Sequence, residues 1–401
     1  MSSSYLDAAE ARSHDLALLV RLPQRLVHDS GGWTIEWRPA SGRCLVASQA
    51  IPARTRVFCE MPICVCGASH DEVAVAVLAL QGVDASDVRH LQSSADPPGS
   101  REWAAGVGTV NAHGAGGNPM DPKAGRRRVI GLLASMMMHE CCPAAVVHIS
   151  AAADGSHLSL HTIRPLAPGE PISISYVASY QPTTRRRRLL LAKHGFICAC
   201  DRCIAQPELV RAFRCPHCGE GPCSPARSGP SCRELICDEC EAHMQLDDDG
   251  WAAVVGAAET CGCESMCERC MPLFHPFHHT PVEAYSTRML QLPIEARASV
   301  MAQHASAMAR LYAGSCTREE AGEGEGSLAH ALVATRVEAI AVAWLSEGRT
   351  QEAAEAFADA GERFAAFYGN QSADVVRCAR GAGARSLAEY VAGSVEVLAH
   401  H

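Results

Sequence analysis

Of the 21 cysteines in this 401-residue chain, 13 fall between Cys198 and Cys270. The densest group, Cys198, Cys200 and Cys203, offers three thiolates within six residues. A structural zinc ion takes four nitrogen or sulfur ligands, so this trio needs one more. Cys141 or Cys142, about 60 residues upstream, can supply it only if the chain folds back on itself. Such a clip would hold the segment after Tyr176 against the segment around His139 and build one pocket from two distant pieces. No other feature restricts the fold as much.

The remaining cysteines divide by spacing. Cys215-Pro-His-Cys218 and Cys237-Asp-Glu-Cys240 are separated by eighteen residues, the pattern of a zinc ribbon with paired knuckles. Cys223 and Cys232 lie in the Gly/Pro/Ser-rich arm between the pairs and read as bystanders. Cys261, Cys263, Cys267 and Cys270 precede His275, His278 and His279 with irregular spacing; a third zinc site and scattered thiols both stay open. Cys59, Cys64 and Cys66 lack a matching second pair and read as small core residues. Asp7, Glu10, Arg12, His14 and Asp15 interrupt any apolar stretch near the start, so a secretory signal is not expected. The cysteine cluster therefore reads as metal ligation in a reducing compartment, cytoplasmic or nuclear, rather than as disulfides.

A content of 48% hydrophobic and 20% charged residues describes a globular chain of two or three domains, expected to be monomeric. The formal net charge of −9 argues against direct nucleic-acid binding, which needs a basic footprint. No window reaches the roughly 18 apolar residues of a membrane span.

Residues 1–30 contain one amphipathic helix candidate. From Trp33 the pattern turns to strands: 33–37 alternates, 41–43 turns, and 44–48 is a short apolar run. A turn near residue 52 leads into a further strand ending at Phe58. Residues 73–80 and 101–110 are helix candidates, divided by Asp96-Pro-Pro-Gly-Ser, and 112–117 is a Gly-rich loop. Residues 144–149 and 158–163 read as paired strands around a turn at 153–156, with another strand at 172–176. Arg185, Arg186, Arg187 and Arg188 open a helix and read as a solvated face. From residue 280 the chain is Ala-rich and helical, with 331–345 and 351–368 forming an antiparallel pair.

In this order, Gly42-Arg43-Cys44-Leu45, the run from Ser135 to Pro143, Gly169-Glu170, Ile174-Ser-Tyr176 and the run from Phe196 to Cys203 resemble a SET domain. The likeness is to the SET- and MYND-domain protein lysine methyltransferases over about residues 33–205, without the MYND finger. It implies an α+β chain: a knotted SET β-fold with a helical insert, a post-SET zinc site, a zinc-ribbon segment and an all-helical, TPR-like C-terminal domain. The implied division is 1–31, an N-terminal helical segment; 32–66 and 129–195, the SET halves; 67–128, the insert; 196–205, the post-SET segment; 206–275, the ribbon; and 276–401, the helical domain. The resemblance further implies S-adenosylmethionine and zinc as cofactors and a protein lysine as substrate. By position, Tyr176 would be the catalytic tyrosine. Arg43 and Asn111 would lie near the amino-acid end of the cofactor, Ser135 and His139 would line its pocket, and Phe196 would stack on adenine. Cys141, Cys198, Cys200 and Cys203 would bind the post-SET zinc, and Cys215, Cys218, Cys237 and Cys240 the ribbon zinc.

Four positions depart from the family pattern. Met138 replaces an Asn that bonds the cofactor, Ala144 replaces an Asn that braces the backbone, Cys44 replaces a Gly, and His194 stands at a second channel tyrosine. One lost hydrogen bond to a charged group costs about 1.5–3 kcal/mol, which weakens a site without abolishing it. These departures keep a second reading in play, a catalytically degenerate scaffold that binds partner proteins through its ribbon and helices.

Overall fold

The computed structural model describes residues 22–38, 42–67, 69–89, 91, 98–115, 127–152, 155–204, 208–225, 234–245, 249, 274–276, 278–282, 284–285, 327–368 and 372–400. They group into two compact units. One is built on residues up to Tyr176 with Leu191–Gly195 and Val395–His401, the other on Val177–Leu190 and Phe196–Ser394.

The first unit opens with β1 (Leu26–Asp29), β2 (Trp33–Arg38), β3 (Gly42–Ala47), β4 (Arg56–Glu60) and β5 (Cys64–Gly67). The N-terminal segment is thus not wholly helical, because Leu26–Asp29 pairs antiparallel with β4; the helix candidate itself lies largely outside the described residues. β2 and β3 form the expected hairpin, and Gly42 at its turn has φ +73, a conformation that glycine adopts at little cost. Cys44 is fully buried there, its thiol donating to Glu36 O at 3.5 Å.

The insert holds α1 (His70–Leu78), α2 (Gly82–Arg89) and α3 (Arg101–Asn111). Ser69 and Glu72 form a capping box on α1, so that helix starts three residues earlier than apolar periodicity suggests. A Cβ at Gly108 would overlap the Val73 side chain, so glycine permits the close approach of α3 to α1. Next come β6 (His113–Ala115), β7 (Arg127–Ile130), β8 (Met138–His139), β9 (Ala145–Ala152), β10 (Gly155–Thr162) and β11 (Ser173–Ile174). They assemble as sheets β1-β4-β10-β9 and β5-β7-β6, with β11 parallel to β8. Leu45, Phe58, Val107, Ile130, Leu133, Met137 and Leu158 belong to the shared buried core. The strand expected over 172–176 is confined to Ser173–Ile174. Past it the Tyr176 N–H leaves the ladder and donates to His139 Nδ1 at 3.0 Å.

After α4 (Thr183–His194) and the short α5 (Asp201–Ile204) comes a sheet of β12 (Phe213–Arg214), β13 (Pro222–Pro225), β14 (Glu234–Cys237) and β15 (His243–Gln245), in that order. The basic run on α4 is a solvated face only in part: Arg185 and Arg188 are exposed, whereas Arg186 and Arg187 turn inward. Arg186 is 1% exposed, donating to Gln181 O, to Thr183 Oγ1 at 2.8 Å and to Cys203 Sγ at 3.5 Å. Arg187 donates to Cys198 O at 2.8 Å and Cys203 O at 3.2 Å. Charge counting misses this because the loop supplies carbonyl and sulfur acceptors rather than acidic residues.

Cys223 stands outside the cysteine group of the ribbon, buried opposite Cys237 in its core, and Cys232 lies outside the described residues. The third cysteine group, Cys261 to Cys270, lies outside the described residues. Of the histidines that follow it, His278 packs against Phe213 and Phe274, ring centroids 5.0 and 4.5 Å away. Four helices follow: α6 (Ser327–Ser346), α7 (Thr350–Tyr368), α8 (Ala373–Gly383) and α9 (Leu387–His400). Arg377 on α8 meets Glu338 of α6 through two hydrogen bonds, at 2.6 and 2.8 Å, and Tyr390 of α9 donates to the same carboxylate at 3.0 Å. No described helix is long and apolar enough to cross a membrane.

Candidate active site and metal centres

The first unit contains a cleft of about 660 Å³. The end of α3 and β6 form one wall, from Thr109 to Gly114; Ala134 and Ser135 contribute from the loop after β7; Ile174 to Tyr176 face them with Lys193 and His194. Asn111, Ser135 and Tyr176, expected at the site from three distant motifs, therefore share one cleft. Arg43, His139 and Phe196 are not among its described lining residues.

Tyr176 is held at three points. Its hydroxyl donates to Met137 O, its N–H donates to His139 Nδ1, and its ring lies 4.7 Å from His194. Burial pushes the phenol up to about 12, so it stays protonated and remains a donor at neutral pH. Accepting at Nδ1 leaves the proton of a neutral His139 ring on Nε2, which lies 3.3 Å from Cys141 Sγ. His139 thus links the tyrosine to Cys141 and is not among the described residues lining the cleft.

The backbone under the cleft depends on a residue that motif reading missed. Glu60 is fully buried, and its carboxylate accepts from the N–H groups of Leu132, Leu133 and Ala134 at 3.0, 3.1 and 2.8 Å. Burial raises it to about 7 against the lowering effect of those donors and of Arg25. A Cβ on Gly131 would overlap Glu60 Oε1, so this loop needs both residues. Ser135 closes it with a 2.5 Å bond to Gly131 O. A glutamate between Cys59 and Met61-Pro62 carries no spacing signal for such a role.

Two departures from the family pattern meet local compensation or none. The brace expected from an Asn at Ala144 is supplied differently: Ala144 N–H donates to Ser173 Oγ at 3.0 Å, and Ser173 donates to Glu140 Oε2 at 2.7 Å. Met138 itself offers no amide. Burial and the neighbouring Lys193 lower His194 from its usual value, leaving it neutral at pH 7.

Both expected cysteine quartets come together. The sulfurs of Cys141, Cys198, Cys200 and Cys203 lie within 4.8 Å of one another, as do those of Cys215, Cys218, Cys237 and Cys240. With Zn–S bonds of about 2.3 Å, a tetrahedral ion sets its sulfurs about 3.8 Å apart. The ribbon pairs Cys215–Cys240 and Cys218–Cys237 are 3.7 and 3.9 Å apart. His217 N–H donates to Cys215 Sγ and Gly221 N–H to Cys218 Sγ, each at 3.3 Å, as knuckle thiolates require. Burial would raise Cys215, but N–H groups of Cys218 and His217 and the neighbouring thiols outweigh it and hold the thiol at about 6. A Cβ on Gly221 would sit 2.5 Å from Cys237 Sγ, so glycine is required at that knuckle. The thiol-only donor sets fit zinc.

A family model described as the SET domain matches residues 42–177. A SET and MYND domain-containing protein of Dictyostelium discoideum is 34% identical over 73 residues, 18% of this chain and 20% of that protein. The histone-lysine N-methyltransferase SET5 of Saccharomyces cerevisiae is 39% identical over 83 residues, 21% of this chain and 15% of that protein. Its Schizosaccharomyces pombe namesake is 25% identical over 177 residues, covering 43% and 50%. The chain thus spans half or less of the length of these relatives. A solved chain of the Chaetomium thermophilum Polycomb Repressive Complex 2 matches at 13% identity and a TM-score of 0.22, over 90% of this chain and 35% of that one, too distant a likeness to bear on the fold. On the family match, residues 42–177 of this chain form a SET domain.

Proposed function

We propose that the chain is an S-adenosylmethionine-dependent protein-lysine N-methyltransferase, a relative of the SET- and MYND-domain enzymes that lacks the MYND finger. The observation that carries this reading is the meeting of Asn111, Ser135 and Tyr176 in one cleft within the SET domain. The cofactor supplies an electrophilic methyl group on a sulfonium. The protein's task is to present a neutral lysine amine in line with it and to keep water out.

Tyr176 suits that task because its hydroxyl is fixed by Met137 O and stays protonated. A fixed phenol positions an amine at lower cost than a mobile one. The cationic side chains around the cleft disfavour the ammonium form of an entering lysine. Asn111 and Ser135 are the proposed cofactor contacts within the cleft, Arg43 and Phe196 the contacts outside its described lining, and His139 the link that orients Tyr176. Zinc in the Cys141 quartet would fix the post-SET segment, and zinc in the second quartet the ribbon, while the helices between residues 327 and 400 would belong to a helical C-terminal domain.

The second reading, a degenerate scaffold, draws on Met138 and on Arg43 and Phe196 lying outside the described lining. Replacing the tyrosine hydroxyl separates the two. Tyr176→Phe should lower turnover on a lysine substrate at least 100-fold while cofactor affinity changes less than threefold. Full activity in that variant, or no turnover in the parent chain with every protein substrate tried, would remove the enzyme reading.

A further inference from the structure

The charge of the cleft is opposite to that of the chain. Arg127, Arg128 and Lys193 line it, and no Asp or Glu is among its described lining residues, although the whole sequence carries a formal net charge of −9. None of the three cations makes an ion pair with a described residue. Arg127 and Lys193 are exposed, so they stand at the rim where a ligand enters, and Arg128 is half-buried. The two lining histidines add no charge at neutral pH. Burial takes His113 down to about 4, and burial with Lys193 lowers His194.

Among the described residues, the α3–β6 side of the cleft also ends in a strand paired on one side alone. β6 is the edge strand in the order β5-β7-β6, and its His113 and Gly114 line the cleft. An edge strand offers unpaired N–H and C=O groups to an extended chain.

We infer that this cleft selects a lysine set among acidic residues in an extended peptide. The inference rests on the methyltransferase reading of the cleft and adds its substrate class. A basic flank would bring like charges to three unpaired cations, whereas an acidic flank is attracted to them. The methyl donor has one carboxylate of its own, and the cleft carries three cations, two of them at the exposed rim; the surplus is assigned to the peptide. A nucleic acid presents negative charge too, but the acidic remainder of the chain opposes a polyanion that extends beyond the cleft.

The test uses the full chain loaded with zinc and three fluorescent twelve-residue peptides. Each has one central lysine, flanked by Glu and Asp, by Gly and Ser, or by Lys and Arg. Anisotropy at low salt should show the acidic peptide binding at least tenfold tighter than the basic one. That preference should shrink as salt rises, because exposed charges are screened. Reversing the rim with Arg127→Glu and Lys193→Glu should remove it, while cofactor affinity by calorimetry stays within threefold. Equal binding of the peptides, a preference for the basic flank, or no binding would overturn the inference. So would an oligonucleotide that displaces the acidic peptide at a lower concentration than unlabelled peptide does, or a rim variant that loses cofactor as severely as peptide. Acidic-peptide binding without methyl incorporation would keep the inference and count against the enzyme reading alone.

Discussion

The two cysteine quartets are built in opposite ways. The ribbon quartet is local: Cys215 follows β12, Cys237 ends β14, and short knuckles bring Cys218 and Cys240 to them. Its thiolates are supported by the N–H groups of the knuckles themselves. The other quartet combines a trio within six residues with Cys141, far upstream. Its surroundings are side chains: Arg186 reaches Cys203 Sγ, and His139 lies between Cys141 Sγ and the Tyr176 backbone. A local zinc site organises a small sheet. The other joins segments far apart in sequence, and His139 connects its Cys141 to Tyr176, which lines the cleft.

That contrast breaks most sharply under loss of one ligand. Cys198→Ser should remove one zinc per chain and reduce cofactor binding beyond detection, since zinc binding there would also be folding energy for residues 196–203. Cys237→Ser should remove one zinc as well, yet leave cofactor affinity within about threefold. Elemental analysis beside calorimetry reads both outcomes. Equal effects of the two variants on the cofactor would end the distinction.

A smaller effect is expected one layer out. Arg186→Met keeps the length of the side chain but removes its hydrogen bond to Cys203 Sγ. Loss of such a partner lowers metal affinity roughly 10- to 100-fold. Competition with a chromophoric chelator should find one weakened zinc and one unchanged, and two unchanged sites would show that Arg186 serves helix packing alone.

An effect on stability rather than on metal binding concerns the loop under the cleft. In the folded chain Glu60 keeps its proton up to about 7, whereas the unfolded chain releases it near 4.5. The folded state therefore binds more protons between those values, so stability falls as pH rises through that window and levels off above it. The raised carboxyl accounts for a fall on the order of 3 kcal/mol. Glu60→Gln should remove this part of the slope in denaturant titrations between pH 4.5 and 7.5. An unchanged slope would mean that the carboxyl titrates as an ordinary one.

How much of this was legible depends on whether the cause lies near in sequence. Hairpin β2–β3 follows from alternation closed by Gly42, and the ribbon follows from two Cys-x2-Cys pairs. The long-range quartet was accessible because a trio of thiols lacks one ligand. The compensations were not. A buried Arg186 looks like one member of a basic run, Glu60 like a strand-end charge, and the Ser173–Glu140 brace joins residues on segments that no local pattern connects. The positive cleft escaped notice for the same reason: Arg127, Arg128 and Lys193 meet only after the chain has folded.

The central claim is that the cleft beside Tyr176 takes a methyl donor. Isothermal titration of S-adenosylmethionine into the zinc-loaded chain tests it most directly. One site with micromolar affinity is the predicted result; an absence of heat at millimolar cofactor, with both zinc ions in place, would contradict the account.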